Sequence, residues 1–462
     1  MVINKKKVFV LGLDSVPPEL IFDRWLDQLP NIQRLIAHGR YGEMKSTIPA
    51  ITCPAWMSMM TSANPGRLGI YGFRNRLRYD YEGLSFANSK SLHVETVWNI
   101  LSRLGKKVVV IGVPMTYPPQ PVNGCMVTCF MTPDTKGEYT YPPGLKAEVE
   151  AVSGGYMLDV VEFRSENKES ILKDIYAMTE KRFRLTRHFI RSKEWDFFMM
   201  VEMGTDRIHH AFWKHLDDDH PQHVPGSKYQ HAILNYYKYL DKEIGETCKL
   251  LNDDTMILVV SDHGAKRMMG GICINEWLLQ NGYLKLVHYP AGSTPFNKLI
   301  VDWGNTMVWG EGGYYGRLFM NVKGREPKGV IAPQHYEHVR NELIKKLEDL
   351  RDERGNTIHT KVFKPEDIYS TCNGIPPDLI VYYGDLSWRS IGNVGTRTIW
   401  ASENDTGPDD ANHAQYGIFI KHHGKALDGL RLQGVTLYDI APTILSYMGV
   451  TVPEDMEGKV IQ

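Results

Sequence analysis

Short apolar runs recur along the chain, and most of them end in glycine, proline or a polar side chain. Runs that are apolar at every position are typical of parallel strands covered on both faces by helices. The predicted strands lie at 8–13, 106–114, 195–201, 256–260, 317–322, 377–383 and 416–420. Segments with helical periodicity lie at 29–38, 94–104, 165–193, 229–251, 335–350 and 436–448. This alternation predicts an α/β fold with a mainly parallel central sheet and helices on both faces.

Two segments interrupt the alternation. Residues 117–163 are rich in proline, glycine and tyrosine without a clear period, and residues 270–313 are rich in glycine and aromatic side chains. We expect one domain over residues 1–462 in which these segments are cap or lid insertions, the second being a lid rather than part of a sheet. The sequence leaves open whether they close over a substrate or form an oligomer contact.

The overall charge gives no sign of a polyanionic partner. The chain has 53 basic and 54 acidic residues and a formal net charge of −1, so neither a nucleic-acid polymer nor an acidic membrane is expected as a partner. No window approaches the roughly 18 apolar residues of a membrane helix, and the lysine-flanked run near the start is predicted as the first strand. Six cysteines without a C-x-x-C pair suit reduced thiols. We therefore expect a cytoplasmic protein, with a homo-oligomer left open.

Residues of the kinds that bind metals follow several of the predicted strands. Asp14 follows the first strand, and Asp262 and His263 follow the strand at 256–260. Asp206 and His210 come after the strand at 195–201 and share one face if the chain is helical there. Ligands of open α/β sheets collect beyond the carboxyl ends of the strands, so these side chains are expected at one site.

A hydroxyl and a basic loop add to this set. In the segment from Ile51 to Trp56, Thr52 is predicted to cap a helix with Pro54 in its first turn, where the helix dipole favours an alkoxide or a phosphate. The glycine-rich, basic segment 66–76 is a weak indication of a loop that faces a phosphate group. With His413 from a late polar loop, the inventory becomes three carboxylates, three imidazoles and one hydroxyl, which is what two divalent metals with a shared substrate oxygen require.

The pattern and its order resemble the alkaline phosphatase superfamily, and within it the type I phosphodiesterase and nucleotide pyrophosphatase branch, which includes a bacterial group of phosphohydrolases and phosphomutases. The resemblance covers most of the chain. It rests on Gly12-Leu-Asp14, on Ile51-Thr52-Cys-Pro-Ala-Trp56, on Thr205-Asp206-Arg-Ile-His209-His210, on Ser261-Asp262-His263-Gly264 and on His413.

The resemblance implies a role for each of these residues. Asp206, His210 and His413 would bind one metal ion, and Asp14, Asp262 and His263 would bind the other, with Thr52 as nucleophile and as an additional ligand of the second ion. Zinc is expected, although manganese or iron accept the same ligand types. The implied activity is hydrolysis of a phosphodiester or a nucleotide-like pyrophosphate, a small-molecule phosphate ester, through a covalent phosphothreonine.

Substrate contacts are less well defined by the sequence. Nucleotide pyrophosphatases place an asparagine downstream of the nucleophile, and here that place falls near Phe73. Arg74 and Asn75 beside it, and Lys266 after the Asp-His pair, are therefore the expected substrate contacts. A phosphomonoesterase or phosphomutase with the same metal core is the alternative activity, and a binding protein that kept the fold without catalysis is the second alternative.

Two further sets of polar residues are predicted to have structural roles. His209 is expected to lie behind the metal ligands or at the surface, because it is on a different helical face from His210. The acidic residues Asp405, Asp409 and Asp410 are expected to shape their loop or to be solvated, with the orientation of His413 by one of them as a less favoured alternative.

Overall fold

A computed structural model describes residues 6–424 and 429–462 of the chain. Most of the strands are short, and their lengths are those of a twisted α/β sheet with several small added sheets. In chain order the strands are β1 (Lys7–Leu13), β2 (Gly39–Lys45), β3 (Arg74–Asn75), β4 (Ser85–Phe86), β5 (Val108–Ile111), β6 (Gly124–Val127), β7 (Thr140–Tyr141), β8 (Phe197–Glu202), β9 (Thr255–Val260), β10 (Gly264–Arg267), β11 (Gly270–Cys273), β12 (Val308–Glu311), β13 (Gly316–Met320), β14 (Lys361–Phe363), β15 (Leu379–Tyr382), β16 (Trp388–Ile391), β17 (Trp400–Ala401), β18 (Ala411–Ala414), β19 (Tyr416–His422), β20 (Leu430–Arg431) and β21 (Val435–Thr436).

The α-helices occur mainly between the strands of the central sheet. They are α1 (Pro30–Ala37), α2 (Thr52–Thr61), α3 (Pro65–Leu68), α4 (Val97–Arg103), α5 (Leu145–Ser153), α6 (Lys168–Ser192), α7 (Gly204–Leu216), α8 (Ala232–Cys248), α9 (Ile274–Gln280), α10 (Tyr336–Glu348), α11 (Pro365–Ile368) and α12 (Ile440–Tyr447). Among the described residues, no helix combines the length and the apolar character that crossing a bilayer requires.

The central sheet has the strand order β20-β2-β19-β9-β1-β8-β5-β6-β7, and β21 also pairs with β2. Strands β9, β1, β8, β5 and β6 are parallel, whereas β19 and β7 run antiparallel to their neighbours. Every residue of β8 and β9 is buried, as expected of strands covered on both faces. The predicted α/β class, with a mainly parallel sheet flanked by helices, is confirmed.

A second, smaller hydrophobic core lies among residues 272–383. It packs around the antiparallel sheet β12-β13-β15-β14 and helices α9 and α10. The expectation that residues 270–313 lie outside any sheet is wrong, because β11 and β12 fall within this segment. The apolar side chains of this segment pack into the second core. Its composition, rich in glycine and aromatic residues, does not distinguish such a segment from a loop.

Two local predictions near the site are also corrected. His413 was expected in a loop, but it lies in β18, which pairs antiparallel with β10. Thr52 was expected to be the N-cap residue of its helix. The N-cap residue is Ile51, and Thr52 is the first residue of α2, where its side chain is free of a capping role.

Candidate active site

The candidate metal ligands lie at one edge of the central sheet. Asp14 directly follows β1, Asp262 and His263 follow β9 after Ser261, and Asp206 lies in the first turn of α7, just after β8. Because β1, β8 and β9 are parallel neighbours, their carboxyl ends meet at this edge. The topology therefore brings together residues that are far apart in the sequence.

Asp14, Asp262 and His263 form the first triad, and all three side chains are fully buried. The Nε2 atom of His263 lies 3.2 Å from Asp262 Oδ2 and 3.7 Å from Asp14 Oδ1. The ligand atoms of the triad lie within 4.8 Å of one another. Trp56 Nε1 donates a 2.7 Å hydrogen bond to Asp14 Oδ2, and the backbone N–H of Ser15 donates to Asp262 Oδ1 at 3.2 Å. These bonds fix the carboxylates and leave one oxygen of each directed into the triad.

Asp206, His210 and His413 form the second triad, also buried and also within 4.8 Å. Asp206 and His210 are one helical turn apart in α7, with Asp206 Oδ1 at 3.2 Å from His210 Nε2. His413 Nδ1 lies 3.0 Å from the carbonyl oxygen of Ala50, to which it can donate. The rings of His413 and His263 stack at 3.8 Å between centroids, so the two triads are adjacent.

The electrostatics of the first triad favour a bound cation. Burial raises the pKa of both Asp14 and Asp262 well above the usual range, and Asp206 raises that of Asp14 further. Burial also lowers the pKa of His263 to about 4, so the ring is neutral. Asp14 Oδ1 and Asp262 Oδ2 are buried without a hydrogen-bond partner among the described residues. Two buried carboxylates in this state are stabilised by a cation between them, and the donor set fits a divalent metal.

In the second triad, charged neighbours outweigh burial for Asp206 and His210 but not for His413. Burial alone raises the pKa of Asp206, but His210 and Arg207 lower it well below its usual range. Burial likewise opposes the charged form of His210, yet Asp409 raises the pKa of that ring. Burial and the nearby His263 ring lower the pKa of His413. The second triad thus holds an ionised carboxylate between two imidazoles.

Thr52 lies beside the first triad at the amino end of α2. Its Oγ1 atom is 3.4 Å from His263 Nε2, and the residue is buried. Thr52 lines a cavity of about 380 Å³ together with Asp206 and His413 of the second triad. The cavity therefore gives a small molecule access to the hydroxyl and to the second triad at once.

The three residues predicted to contact the substrate lie in different places. Arg74 lines the cavity that contains Thr52. The side chain of Asn75 is used within its own loop, where it accepts from the N–H of Tyr71 and donates to the carbonyl of Gly72. Lys266 lines a separate cavity and donates to the carbonyl of Asp385 at 2.9 Å. Of the three, the structure brings only Arg74 to the site.

Sequence reasoning missed the residue that orients His210. Asp409 Oδ1 lies 2.6 Å from His210 Nδ1, while Asp409 Oδ2 accepts from Arg164 at 2.9 Å and from Arg389 at 3.1 Å. Nδ1 therefore faces a carboxylate and Nε2 faces the triad, which is the usual arrangement behind a metal-binding histidine. The acidic cluster before His413 is the signal in the sequence, but its residues are predicted to shape their loop or to be solvated, with the orientation of His413 as the less favoured alternative. Asp409 is instead buried and faces His210.

His209 lies behind the candidate metal ligands, which is one of the two positions predicted for it. It is fully buried, and its Nε2 atom lies 3.1 Å from the hydroxyl of Tyr237. Burial lowers the pKa of His209 to about 3, so its ring is neutral.

Solved structures with the same fold come from both mammals and bacteria. Phosphonoacetate hydrolase from Sinorhizobium meliloti 1021, in complex with phosphonoacetate, is 16% identical over 96% of each chain, with a TM-score of 0.63. An inactive variant of murine ectonucleotide pyrophosphatase/phosphodiesterase 5 in complex with AMP is 12% identical, covers 98% of this chain and 97% of its own, and has a TM-score of 0.55. The human protein of the same name is 13% identical over 97% of this chain and 96% of its own, also at 0.55. No curated protein matches the sequence directly.

The fold of this chain is thus that of these structures, and its two adjacent Asp/His triads provide the ligand types of a two-metal site. The model of the type I phosphodiesterase/nucleotide pyrophosphatase family matches residues 8–411, and the chain belongs to this family. It is a phosphoric ester hydrolase at the level that the family defines.

Proposed function

We propose that the chain is a two-metal hydrolase that cleaves a small-molecule phosphodiester or nucleotide-like pyrophosphate through a covalent phosphothreonine at Thr52. The observation that carries the proposal is the position of the Thr52 hydroxyl, which lies at the wall of a cavity and next to two buried Asp/His triads. A threonine hydroxyl is a poor nucleophile at neutral pH and needs activation.

The residues present fit the two cations that the resemblance implies. Asp14, Asp262 and His263 would hold one, with zinc as the expected ion, and Asp206, His210 and His413 would hold the other. When bound, such ions lower the pKa of a coordinated hydroxyl and oppose the negative charge of the phosphoryl oxygens.

The chain's own groups define the remaining steps. Thr52 Oγ1 loses its proton to solvent and forms a bond to phosphorus as the bond to the leaving oxygen breaks. The leaving oxygen takes up one proton from solvent, so that the leaving group departs as an alcohol or a phosphate and the step is balanced. A water then attacks the phosphothreonine, releases the phosphate product and restores the Thr52 hydroxyl. Asp409 and the carbonyl of Ala50 hold the His210 and His413 rings in place during both steps.

Turnover of matched substrates tests the activity. After chelation and addition of Zn²⁺ or Mn²⁺, we expect faster hydrolysis of bis(4-nitrophenyl) phosphate than of 4-nitrophenyl phosphate, with metal content measured in parallel. Faster hydrolysis of the monoester would establish the phosphomonoesterase alternative. Hydrolysis that survives chelation undiminished would contradict metal dependence.

The nucleophile is tested by variants of one residue. Thr52→Ala should lose turnover by at least about a thousandfold, as expected when a covalent step is removed, and should keep most of its metal. Thr52→Ser should retain activity because it keeps the hydroxyl. Thr61→Ala is a matched control in the same helix, since the Thr61 hydroxyl donates to the helical carbonyl of Met57. An unchanged rate in Thr52→Ala would refute the mechanism.

A further inference from the structure

The wall of the cavity is unusually rich in arginine. Five arginines line it, and three of them have acidic partners. Arg207 pairs with Asp159 and Asp206, and both Arg164 and Arg389 pair with Asp409. Among the described residues, no carboxylate pairs with either of the other two. The five are Arg74, Arg164, Arg207, Arg317 and Arg389.

Arg317 is the more informative of the unpaired cations. It lies in β13 and is only 7% exposed. Its Nη1 atom donates to the carbonyl oxygen of Arg74 at 2.7 Å and its Nη2 atom to that of Gly312 at 3.3 Å, while Nε is buried without a partner. Both hydrogen-bond partners are neutral, and the guanidinium also lies 5.8 Å from the ring centroid of Tyr315, so among the described residues no carboxylate balances this buried charge. Such a group is stabilised by an anion that enters the cavity.

Arg74 supplies a second positive charge in the same wall. Its side chain is exposed and its guanidinium lies 5.8 Å from the ring centroid of Phe86, which also lines the cavity. The bond from Arg317 to the Arg74 carbonyl fixes the backbone that carries this second cation. The two arginines therefore form one unit, defined here as the arginine pair.

We propose that the arginine pair binds a second anionic group of the substrate, a carboxylate or a further phosphate, distinct from the phosphoryl group that reacts at Thr52. The triads and Thr52 already meet the reacting group, so two additional cations exceed what it needs. Phe73 and Phe86 beside Arg74 favour an apolar body between the two anionic groups. This inference rests on the proposed function, since it assigns the same cavity to the substrate.

Binding of phosphonates tests the pair without requiring turnover, because their C–P bond replaces the ester bond. The probes are benzylphosphonate, 4-carboxybenzylphosphonate and 1,4-xylylenediphosphonate, titrated by calorimetry into the zinc-loaded protein. Charge-assisted bonds to guanidinium should make a probe with two anionic groups bind at least about tenfold more tightly than benzylphosphonate, which has one. The carboxylate and phosphonate arms distinguish the two kinds of second group.

Variants of the pair provide the decisive comparison. In Arg317→Met the preference should fall to about onefold, whereas Arg317→Lys should keep part of it because the charge remains. Arg74→Met, at an exposed position, should lower the preference and serves if Arg317→Met does not fold. Arg67→Met is the control from the same basic segment, because the Arg67 side chain pairs with Asp455, and neither residue lines the cavity. Its preference should equal that of the wild type.

Equal affinities of the wild type for all three probes would overturn the proposal, as would a preference that survives in both methionine variants. Absence of measurable binding of every probe would count against it as well. Failure of the proposed function is visible separately, since Thr52→Ala would then hydrolyse esters at the wild-type rate while the binding preference persisted.

Discussion

Replacement of Asp409 by asparagine removes one negative charge and nearly nothing of the side-chain shape. Asp409 is buried and meets four groups, which are His210 at 2.6 Å, Arg164 at 2.9 Å, Arg389 at 3.1 Å and the side-chain amide of Asn404 at 3.4 Å. In Asp409→Asn the amide oxygen can replace only one of the two carboxylate oxygens, and the NH₂ group faces a donor at the place of the other. The two guanidinium groups then share no carboxylate.

The magnitude follows from the ionisation of Asp409. Burial alone raises the pKa of this carboxyl group, but His210, Arg164 and Arg389 lower it from 3.8 to about 2. A depression of this size corresponds to about 2 kcal/mol of stabilisation of the folded state. Because the folded pKa is the lower one, the stabilisation is present above about pH 4 and is lost as the pH falls towards 2.

Two measurements test this reasoning. Urea unfolding of the metal-free chain at pH 7 should show a free energy of unfolding that is lower by at least about 2 kcal/mol in Asp409→Asn. Zinc affinity, measured by competition with a chromophoric chelator, should fall about 10- to 100-fold because the His210 ring loses its charged partner. Asp405→Asn, at an exposed position of the same loop, should change neither quantity. Wild-type stability and affinity in Asp409→Asn would refute the assigned role.

Three further predictions concern the surroundings of the triads. Trp56→Phe removes the N–H that donates to Asp14 at 2.7 Å. This substitution should weaken zinc binding about tenfold in the same competition assay. An unchanged affinity would contradict the role of the indole. Gly12→Ala would place a Cβ 2.4 Å from Trp56 Cη2 and 2.8 Å from Val201 Cγ2. Urea unfolding should therefore show a free energy of unfolding that is lower by about 1 to 3 kcal/mol. An unchanged free energy of unfolding would show that the Trp56 ring can move. Burial lowers the pKa of His215 to about 4, so the unfolded state binds the proton more readily below pH 6.5. The stability advantage of the wild type over His215→Gln should therefore shrink as the pH falls from 6.5 to 4, and an advantage that grows instead would contradict the burial of a neutral ring.

The positions of the candidate ligands along the sheet follow from local sequence signals. Runs of buried residues such as 256–260 end one residue before a candidate ligand, here Asp262. The rule that ligands collect at the carboxyl ends of parallel strands needs no knowledge of strand order. The helical spacing of Asp206 and His210 is equally local, since one turn brings residues four apart to one face. These features depend on the periodicity of apolar and polar positions, which can be read directly from the sequence.

The groups behind the ligands depend on contacts that periodicity cannot provide. Asp409 reaches His210 across a sequence separation of 199 residues, and Arg317 reaches the carbonyl of Arg74 across 243 residues. Neither contact changes the pattern of apolar and polar positions around the residues that make it. A carboxylate before His413 is equally compatible with a solvated loop, and only the packed structure distinguishes the two.

Lys266 lies outside the site because of the way in which its strand is paired. Strands β10 and β18 pair antiparallel, with Ala265 opposite His413 and Lys266 opposite Asn412. Side chains alternate between the two faces of such a ribbon, so His413 shares a face with Ala265 while Lys266 projects from the other face. The same pairing that carries His413 back to His263 therefore directs Lys266 into a different cavity. Lys266 is close to the Asp262-His263 pair in the sequence, and this closeness predicts substrate contact. The pair is followed by a strand, however, in which successive side chains point to opposite faces.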